Sequence, residues 1–124
     1  MVEFNNKIFN ERNTSMYLYG WGEISMDGGW VYDLIIRSVE DSFGSQNFGY
    51  YSNPDVDRLG IAAKNEMNLN KRLQMLQEGF RIALVDDVAV VPLFYQILFT
   101  LTSPDVKFIS RADLRVIVKD IQFI

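Results

Sequence analysis

The stretch SNPDVDRLGIAAKNEM, residues 52–67, carries the clearest element boundary in the chain. Asn53 has a side chain that caps helices, and Pro54 follows at the first helical position, where its missing N–H is not needed. Asp55 and Asp57 then place negative charge beside the positive end of a helix. We therefore predict a helix that begins at Pro54. Helical spacing predicts its buried stripe as Val56, Leu59, Ala63 and Met67.

A second helix is predicted immediately after the first, beginning at Asn68 and ending near Asp86. Its apolar positions recur three or four residues apart, which favours one buried face. They are Leu69, Leu73, Leu76, Phe80, Ala83 and Leu84. Gly60 is unfavourable inside the first helix, at a cost of about 1 kcal/mol relative to alanine.

Shorter elements precede these two helices. Apolar residues at helical spacing predict a helix over residues 2–12, and a dense aromatic run predicts a buried strand over residues 16–21. A short helix is predicted over residues 28–38, with Asp27 as its N-cap. Residues 41–51, rich in Ser, Gly, Gln and Asn, are predicted to form a loop.

Strand signals dominate the last third of the chain. Residues 89–102 alternate, which places one apolar set on a single face of a predicted strand. That set is Val91, Leu93, Tyr95, Ile97, Phe99 and Leu101. A turn at residues 103–105 and short strands over 106–109 and 114–121 follow. This order of helices and strands predicts an α/β fold (mixed α+β) in a single domain, residues 1–124.

Composition excludes several classes of function. Of the 124 residues, 48% are hydrophobic, which is enough to build a core. The net charge is −4 and the basic residues are scattered, so nucleic acid and anionic membrane are poor partners. The chain has no cysteine and no histidine, which excludes thiol and imidazole chemistry and the usual zinc ligands. We expect no cofactor.

The carboxylates do not suggest catalysis. Asp86 and Asp87 are adjacent, so in an extended chain their side chains point apart and do not share a proton. Asp55 and Asp57 are explained as acids in the first turn of a helix. The glycine pair at residues 28–29 lacks the lysine and flanking pattern of a phosphate-binding loop. We therefore expect a protein that is not an enzyme.

Three stretches taken together resemble one protein family. They are LYGWGEISMD (residues 18–27), NFGYYSNPDVDRLGIAA (residues 47–63) and NKRLQMLQEGFRIALVDDVAVVPLFY (residues 70–95). Their order and spacing are similar to those near the carboxyl end of the family 5 extracellular solute-binding proteins. These are the dipeptide, oligopeptide and nickel receptors of ABC importers.

The resemblance implies part of the C-terminal lobe of a periplasmic-binding-protein-like (type II) fold. It implies a ligand-binding portion of an ABC-transporter substrate-binding protein, with a peptide or oligosaccharide ligand and an ABC permease as partner. In such receptors two lobes close on the ligand and bury most of its surface. Because one lobe is missing here, we expect a carboxyl-terminal fragment that alone binds ligand weakly or not at all.

Localisation follows from the same resemblance. Intact family members are periplasmic or lie at the cell surface. The start of this chain, MVEFNNKIFNERN, has no basic region followed by an apolar run, so it does not resemble a signal peptide. Translated as written, the chain would be cytoplasmic.

In this family the segment after the Gly-Trp pair faces the ligand cleft. Peptide-binding members place an aspartate three residues after that Trp, where it holds the amino terminus of the peptide. Counted from Trp21, the position is Ile24, so the acid is absent, and Glu23 and Asp27 are not in register. The ligand-binding residues that the resemblance implies are Tyr19, Trp21, Gly22, Glu23, Ile24, Asp27 and Trp30.

The chemistry of these residues leaves alternatives open. Tyr19, Trp21 and Trp30 have aromatic faces that stack on sugar rings or hold apolar groups, so peptide and sugar both remain candidates. Trp21 is interpretable equally as a cleft residue or as a core side chain, whereas core packing is favoured for Trp30 and Asp27 is most simply a helix cap.

A second account of function needs no ligand. A truncated lobe exposes strand edges that were paired in the whole protein, here at residues 16–21 and 89–102. Such a chain pairs with itself, so this account predicts a homo-oligomer that is a self-associating structural remnant.

Overall fold

The computed structural model describes residues 2–11, 13, 15–22, 25, 27–97, 99–111, 113 and 115–124. The chain divides into two compact units. The helical unit contains Met1–Trp21 and Asp27–Val91, and the C-terminal unit contains Gly22–Met26 and Pro92–Ile124. Helices and a small antiparallel sheet together give a mixed architecture, as the sequence predicts. The single domain over residues 1–124 stays a prediction.

Helices of the described chain lie where the sequence places them, and several end in a wider π-helical turn. Helix α1 spans Val2–Asn5 and continues as a π-helix over Asn6–Glu11. Helix α2 spans Gly28–Val31 and continues as a π-helix over Tyr32–Ile36. Helix α3 spans Pro54–Asn65, and helix α4 spans Leu69–Arg81 with a π-helix over Ile82–Asp86. Arg12, the last residue of the first predicted helix, lies outside the described residues.

The predicted caps start both long helices. The Asn53 side chain accepts a hydrogen bond from the Asp55 backbone N–H at 3.0 Å, with Pro54 in the first turn. The Asn68 side chain accepts from the N–H groups of Asn70 and Lys71 at 3.1 Å each. These bonds satisfy N–H groups that have no partner inside the helix, so the predicted start sites are confirmed.

The predicted buried stripes contain buried residues away from the junction of the two helices, but their members at the junction are exposed. Val56, Ala63, Leu76 and Ala83 are buried. Met67 is exposed because α3 ends at Asn65 and residue 67 lies in the connection to α4. Leu69 and Leu73 are also exposed, since the first turns of α4 extend beyond the core.

The C-terminal unit contains the small sheet. Strand β1, Val106–Lys107, pairs antiparallel with strand β2, Gln122–Phe123, so that Val106 lies opposite Phe123. The turn at residues 103–105 is confirmed by a hydrogen bond from Val106 N to Ser103 O. The strand predicted over residues 114–121 is wrong, because a 3₁₀-helix occupies Val118–Asp120 and the pairing begins only at residue 122.

The strands predicted over residues 16–21 and 89–102 are also wrong. Residues 16–21, 89–97 and 99–102 have no regular secondary structure. Within the described chain, no backbone–backbone hydrogen bond involves residues 16–21, 90–97 or 99–102. A strand is stable only with neighbouring strands, and the described residues supply none for these segments, however well their side chains alternate.

Tyr32 is the centre of the core of the helical unit. Its side chain is fully buried, its hydroxyl donates to the carbonyl of Val56 at 2.8 Å, and its ring meets the edge of Phe80. The ring lies against glycines of both long helices. A Cβ at Gly60 would lie 2.8 Å from Tyr32 Cε1, and one at Gly79 would overlap the Tyr32 hydroxyl. Glycine in α3 thus costs helix propensity and makes room for an aromatic ring.

Arg37, one residue past the π-turn of α2, is a buried charge that the sequence did not indicate. Its side chain is 1% exposed and its guanidinium carbon lies 3.5 Å from the ring centroid of Phe43. Carboxylates of Asp33, Asp57 and Glu40 lie 3.6, 3.8 and 3.9 Å away. A buried guanidinium needs such counter-charges, because an unpaired charge inside a protein is strongly destabilising.

Asp87 ties the end of α4 to the segment that precedes α3. Its Oδ2 accepts hydrogen bonds from the Tyr51 hydroxyl at 2.6 Å and from Asn53 Nδ2 at 2.7 Å. These two donors, Tyr51 first, hold the pKa of the Asp87 carboxyl below its ordinary value of 3.8. Val88 follows with φ +52°, a left-handed conformation that a β-branched residue rarely adopts.

Gly79→Ala tests the fit of Tyr32 between the helices. Helix propensity alone would make alanine more favourable by about 1 kcal/mol. We expect the opposite sign, a loss of about 2–3 kcal/mol, because the added methyl group overlaps a buried ring. Urea unfolding measures the difference. Gly49→Ala is the matched control, since a Cβ there meets nothing within 4 Å, and an equal loss in both variants would contradict the packing argument.

Tyr51→Phe tests the Asp87 contact through its pH dependence. Because the folded pKa of Asp87 is lowered, its contribution to stability is present above about pH 4 and is lost as the pH falls through the folded pKa. Removing the Tyr51 hydroxyl moves the folded pKa of Asp87 closer to its pKa in the unfolded chain. We therefore expect the unfolding free energy of Tyr51→Phe to fall less than that of the wild type between about pH 6 and about pH 3. Tyr95→Phe, at a fully exposed position, should keep the wild-type dependence.

Candidate functional site

Asp27 joins the aromatic segment to helix α4. Its Oδ1 accepts from the Gly29 backbone N–H at 2.8 Å, which is the helix cap that the sequence suggested as one interpretation. The guanidinium of Arg72 also donates to both carboxylate oxygens, at 2.9 and 3.0 Å. The Arg72 hydrogen bond, followed by that of Gly29, lowers the pKa of Asp27 below 3.8. The carboxylate is therefore ionised at neutral pH.

Trp21 and Trp30, which lie on either side of Asp27 in the sequence, pack against each other. Their ring centroids lie 5.7 Å apart with the planes tilted by 40°. Trp30 is 43% exposed, and Trp21 is partly buried. The Trp21 Nε1–H is buried and makes no hydrogen bond with any described group. A buried indole donor without an acceptor is unfavourable by about 1–3 kcal/mol, so an acceptor for this N–H would stabilise the structure.

Tyr19 belongs to a different aromatic group. Its ring meets the rings of Phe9 and Phe48 edge-on, each at a centroid distance of 6.1 Å. Tyr17 also contacts Phe48, so the two tyrosines point to the same side of the chain. The alternation of this segment is therefore real even though no strand forms. The structure does not bring Tyr19 into the Trp21–Trp30 pair.

The structure says little about the position of the remaining predicted ligand-binding residues. Gly22 is exposed and belongs to the C-terminal unit. Glu23 and Ile24 lie outside the described residues. The site that the structure describes is therefore the pair of indoles, together with Asp27, three residues before Trp30, and its partner Arg72.

Surface cavities lie elsewhere on the helical unit. An open cavity of about 580 Å³ and a smaller one of about 350 Å³ share Glu40, and neither includes a predicted ligand-binding residue. The larger is lined by Glu40, Pro54, Asp57, Arg58, Ile61 and Ala62. Among the residues that the structure describes, no three acidic side chains cluster closely enough to hold a metal ion.

Sequence reasoning missed Arg72 as a partner of Asp27. The two residues are 45 positions apart, and a lone Arg on a helix is usually a solvated side chain. The only local hint was the glycine pair after Asp27. A Cβ at Gly29 would overlap the guanidinium of Arg72, so glycine there leaves room for the arginine to reach the cap.

No protein-family model, curated protein or solved structure matches this chain. Among the helices of the described ranges, none combines the length and apolar character needed to cross a membrane.

Substitutions of Asp27 separate its two contacts. Asp27→Ala removes both the cap and the ion pair, whereas Asp27→Asn keeps an oxygen that caps as well as aspartate does. We expect Asp27→Ala to lose about 1 kcal/mol more unfolding free energy than Asp27→Asn, because the exposed ion pair itself contributes only about 0–1 kcal/mol. Urea unfolding of the pair measures this. Equal stability of the two variants would show that the cap contributes nothing.

Proposed function

We propose that this chain is the ligand-binding portion of the substrate-binding receptor of an ABC importer, from the C-terminal lobe of a periplasmic-binding-protein-like (type II) fold. Its ligand is a peptide or an oligosaccharide, and its role is capture rather than catalysis. The observation that carries the proposal is the partly exposed pair of Trp21 and Trp30, in which the buried Trp21 N–H has no acceptor among the described residues.

Contacts between the stretches that resemble the solute-binding family support the proposal. Asp27 of the first stretch binds Arg72 of the third at 2.9 Å. Tyr51 and Asn53 of the second bind Asp87 of the third. These side chains therefore hold distant parts of the chain together, which is the behaviour expected if the resemblance reflects a shared folded unit.

The chemistry of the indole pair suits either ligand class. The Trp21 N–H is buried beside Trp30, so it reaches a ligand only if the two indoles move apart; a peptide carbonyl and a sugar hydroxyl both then provide an acceptor oxygen. The exposed face of Trp30 stacks on a sugar ring or covers an apolar side chain. Asp27 does not hold a peptide amino terminus in this arrangement, because Arg72 already neutralises its carboxylate.

Affinity of the isolated chain is expected to be low. In a two-lobed receptor the second lobe buries most of the ligand surface, and a single lobe keeps only a few contacts. In the whole receptor, closure of the two lobes on the ligand would precede delivery to an ABC permease outside the cytoplasmic membrane.

Nuclear magnetic resonance of the indole N–H groups tests this proposal. The chain has two tryptophans and therefore two indole signals, which Trp21→Phe assigns by removing one. We expect trialanine or cellotriose, at about 10 mM, to shift the Trp21 indole signal downfield as its N–H gains an acceptor. Trp30→Phe should reduce that shift, since the stacking surface becomes smaller.

Glycerol at the same concentration is the control, because it offers hydroxyl groups without a ring or a peptide chain. Indole signals that stay in place with both probes would overturn the proposal. Submicromolar binding by a monomer would contradict the single-lobe part of it.

A second candidate function is self-association without ligand. It is favoured by the exposed apolar side chains of residues 93–95, 97, 99 and 101, which lack a strand partner among the described residues.

A further inference from the structure

The contact of Asp87 with Tyr51 and Asn53 has a strained residue on each side of it. Two residues other than glycine have a positive φ in the described chain, Tyr50 at +53° and Val88 at +52°. Tyr50 directly precedes Tyr51, and Val88 directly follows Asp87. A left-handed backbone is unfavourable for any residue that has a Cβ, so it persists only where neighbouring contacts hold it.

Val88 lies at the position after a helix that glycine commonly occupies. The π-turn that follows α4 ends at Asp86, Asp87 is its cap, and Val88 is the left-handed residue that comes next. The Ala89 N–H then donates to the Ala83 carbonyl at 2.8 Å, which closes the end of the helix. Glycine adopts this conformation without strain, whereas valine is branched at Cβ. The turn is therefore held against the backbone preference of its own residue.

The Tyr51 side of the contact is fixed without Asp87. Asn47 is buried, and its Nδ2 donates to the Tyr51 carbonyl at 2.7 Å while its Oδ1 accepts from the Tyr51 N–H at 3.0 Å. Tyr50 lies inside the turn that these two bonds close, so its conformation does not depend on Asp87. Asn53 is fixed separately as the cap of α3. The two donors to Asp87 are thus held in place from their own side.

The Val88 side has far less support. The side chains of Asp87 and Val88 are both exposed. Beyond the Ala89 bond, residues 90–97 make no backbone–backbone hydrogen bond with any described residue. Because Val88 is strained and little follows that fixes it, the side chain of Asp87 is the main contact that opposes its relaxation.

We propose that Asp87 is a conformational latch on the connection between α4 and Pro92. In the closed state, which the structure shows, Tyr51 and Asn53 hold the Asp87 carboxylate and Val88 is left-handed. In the open state Asp87 has left its donors, Val88 takes an ordinary backbone conformation and the Ala89 hydrogen bond is broken. Hydrogen bonds to a carboxylate favour the closed state and backbone strain favours the open one. The latch sets the direction in which the chain leaves α4, and it does not depend on ligand capture.

A double-mutant cycle tests the latch. Val88→Gly keeps the left-handed turn and removes its strain, so we expect it to raise the folding equilibrium constant about threefold, net of the greater freedom of glycine in the unfolded chain. Asp87→Ala opens the latch, and the core stays intact because Asp87 is exposed. With the latch open Val88 is no longer left-handed, so in the Asp87→Ala background Val88→Gly should give no increase. Urea unfolding of the four proteins measures the constants.

Val90→Gly is the matched control, because Val90 is an exposed valine of the same connection whose φ is not positive. It should lower the folding equilibrium constant by the same factor with and without Asp87, since glycine there removes no strain. Tyr51→Phe is a milder opening variant that removes one of the two donors to Asp87. In that background the increase from Val88→Gly should be smaller than in the wild type.

Amide hydrogen exchange observes the opening directly. We expect the Ala89 N–H to exchange faster in Asp87→Ala than in the wild type, because its bond to Ala83 is broken in the open state. The Arg72 N–H, bonded to the Asn68 carbonyl at 2.9 Å at the other end of α4, should keep its rate.

Three results would each overturn the latch. They are a Val88→Gly increase that is the same with and without Asp87, no increase in the wild type, and an Ala89 rate that is unchanged or rises only together with that of Arg72. The indole signals that test ligand capture do not enter any of these measurements.

Discussion

The ring of Tyr32 fills the space between helices α3 and α4, and the arrangement of the helical unit depends on it. Gly60 and Gly79 provide that space, since any side chain at either position would meet the ring. The buried hydroxyl keeps its proton, because burial raises its pKa, and so it can donate to the Val56 carbonyl. One side chain thereby contacts both long helices and satisfies its own polar group, which is the condition for burying a tyrosine.

Polar contacts then fix the segments around this core. Arg37 lies beneath Phe43 among carboxylates, which places a positive charge inside the helical unit. The contacts of Asp27 with Arg72 and of Asp87 with Tyr51 join segments that are far apart in sequence. The donors close to Asp27 and Asp87 lower the pKa of these two carboxylates, which therefore stay ionised at neutral pH and act as connections rather than as reactive groups.

The two units differ in how completely their own residues pair the backbone and cover the large apolar side chains. In the helical unit the long helices pair their own backbone and several large aromatic residues pack on one another, although residues 16–21 make no backbone–backbone hydrogen bond with a described residue. In the C-terminal unit the described residues of the alternating segment around Ile97 leave large apolar side chains exposed and make no backbone–backbone hydrogen bond with one another or with the rest of the described chain. The ligand proposal arises from the helical unit instead, since a ligand supplies the acceptor that the described residues do not give to the Trp21 N–H.

The sequence by itself determined where the helices begin, because caps such as Asn53 and Asn68 act within three residues of the backbone they satisfy. It also indicated Trp21 and Trp30 as candidate site residues, but their mutual contact and the reach of Arg72 to Asp27 depend on the folded chain. Only the tertiary structure decided which glycines make room for a ring. It also decided that the alternating residues around Ile97 do not form a strand. The reason is physical: a cap is a local hydrogen bond, whereas a cavity or a strand exists only when a distant segment provides its other side.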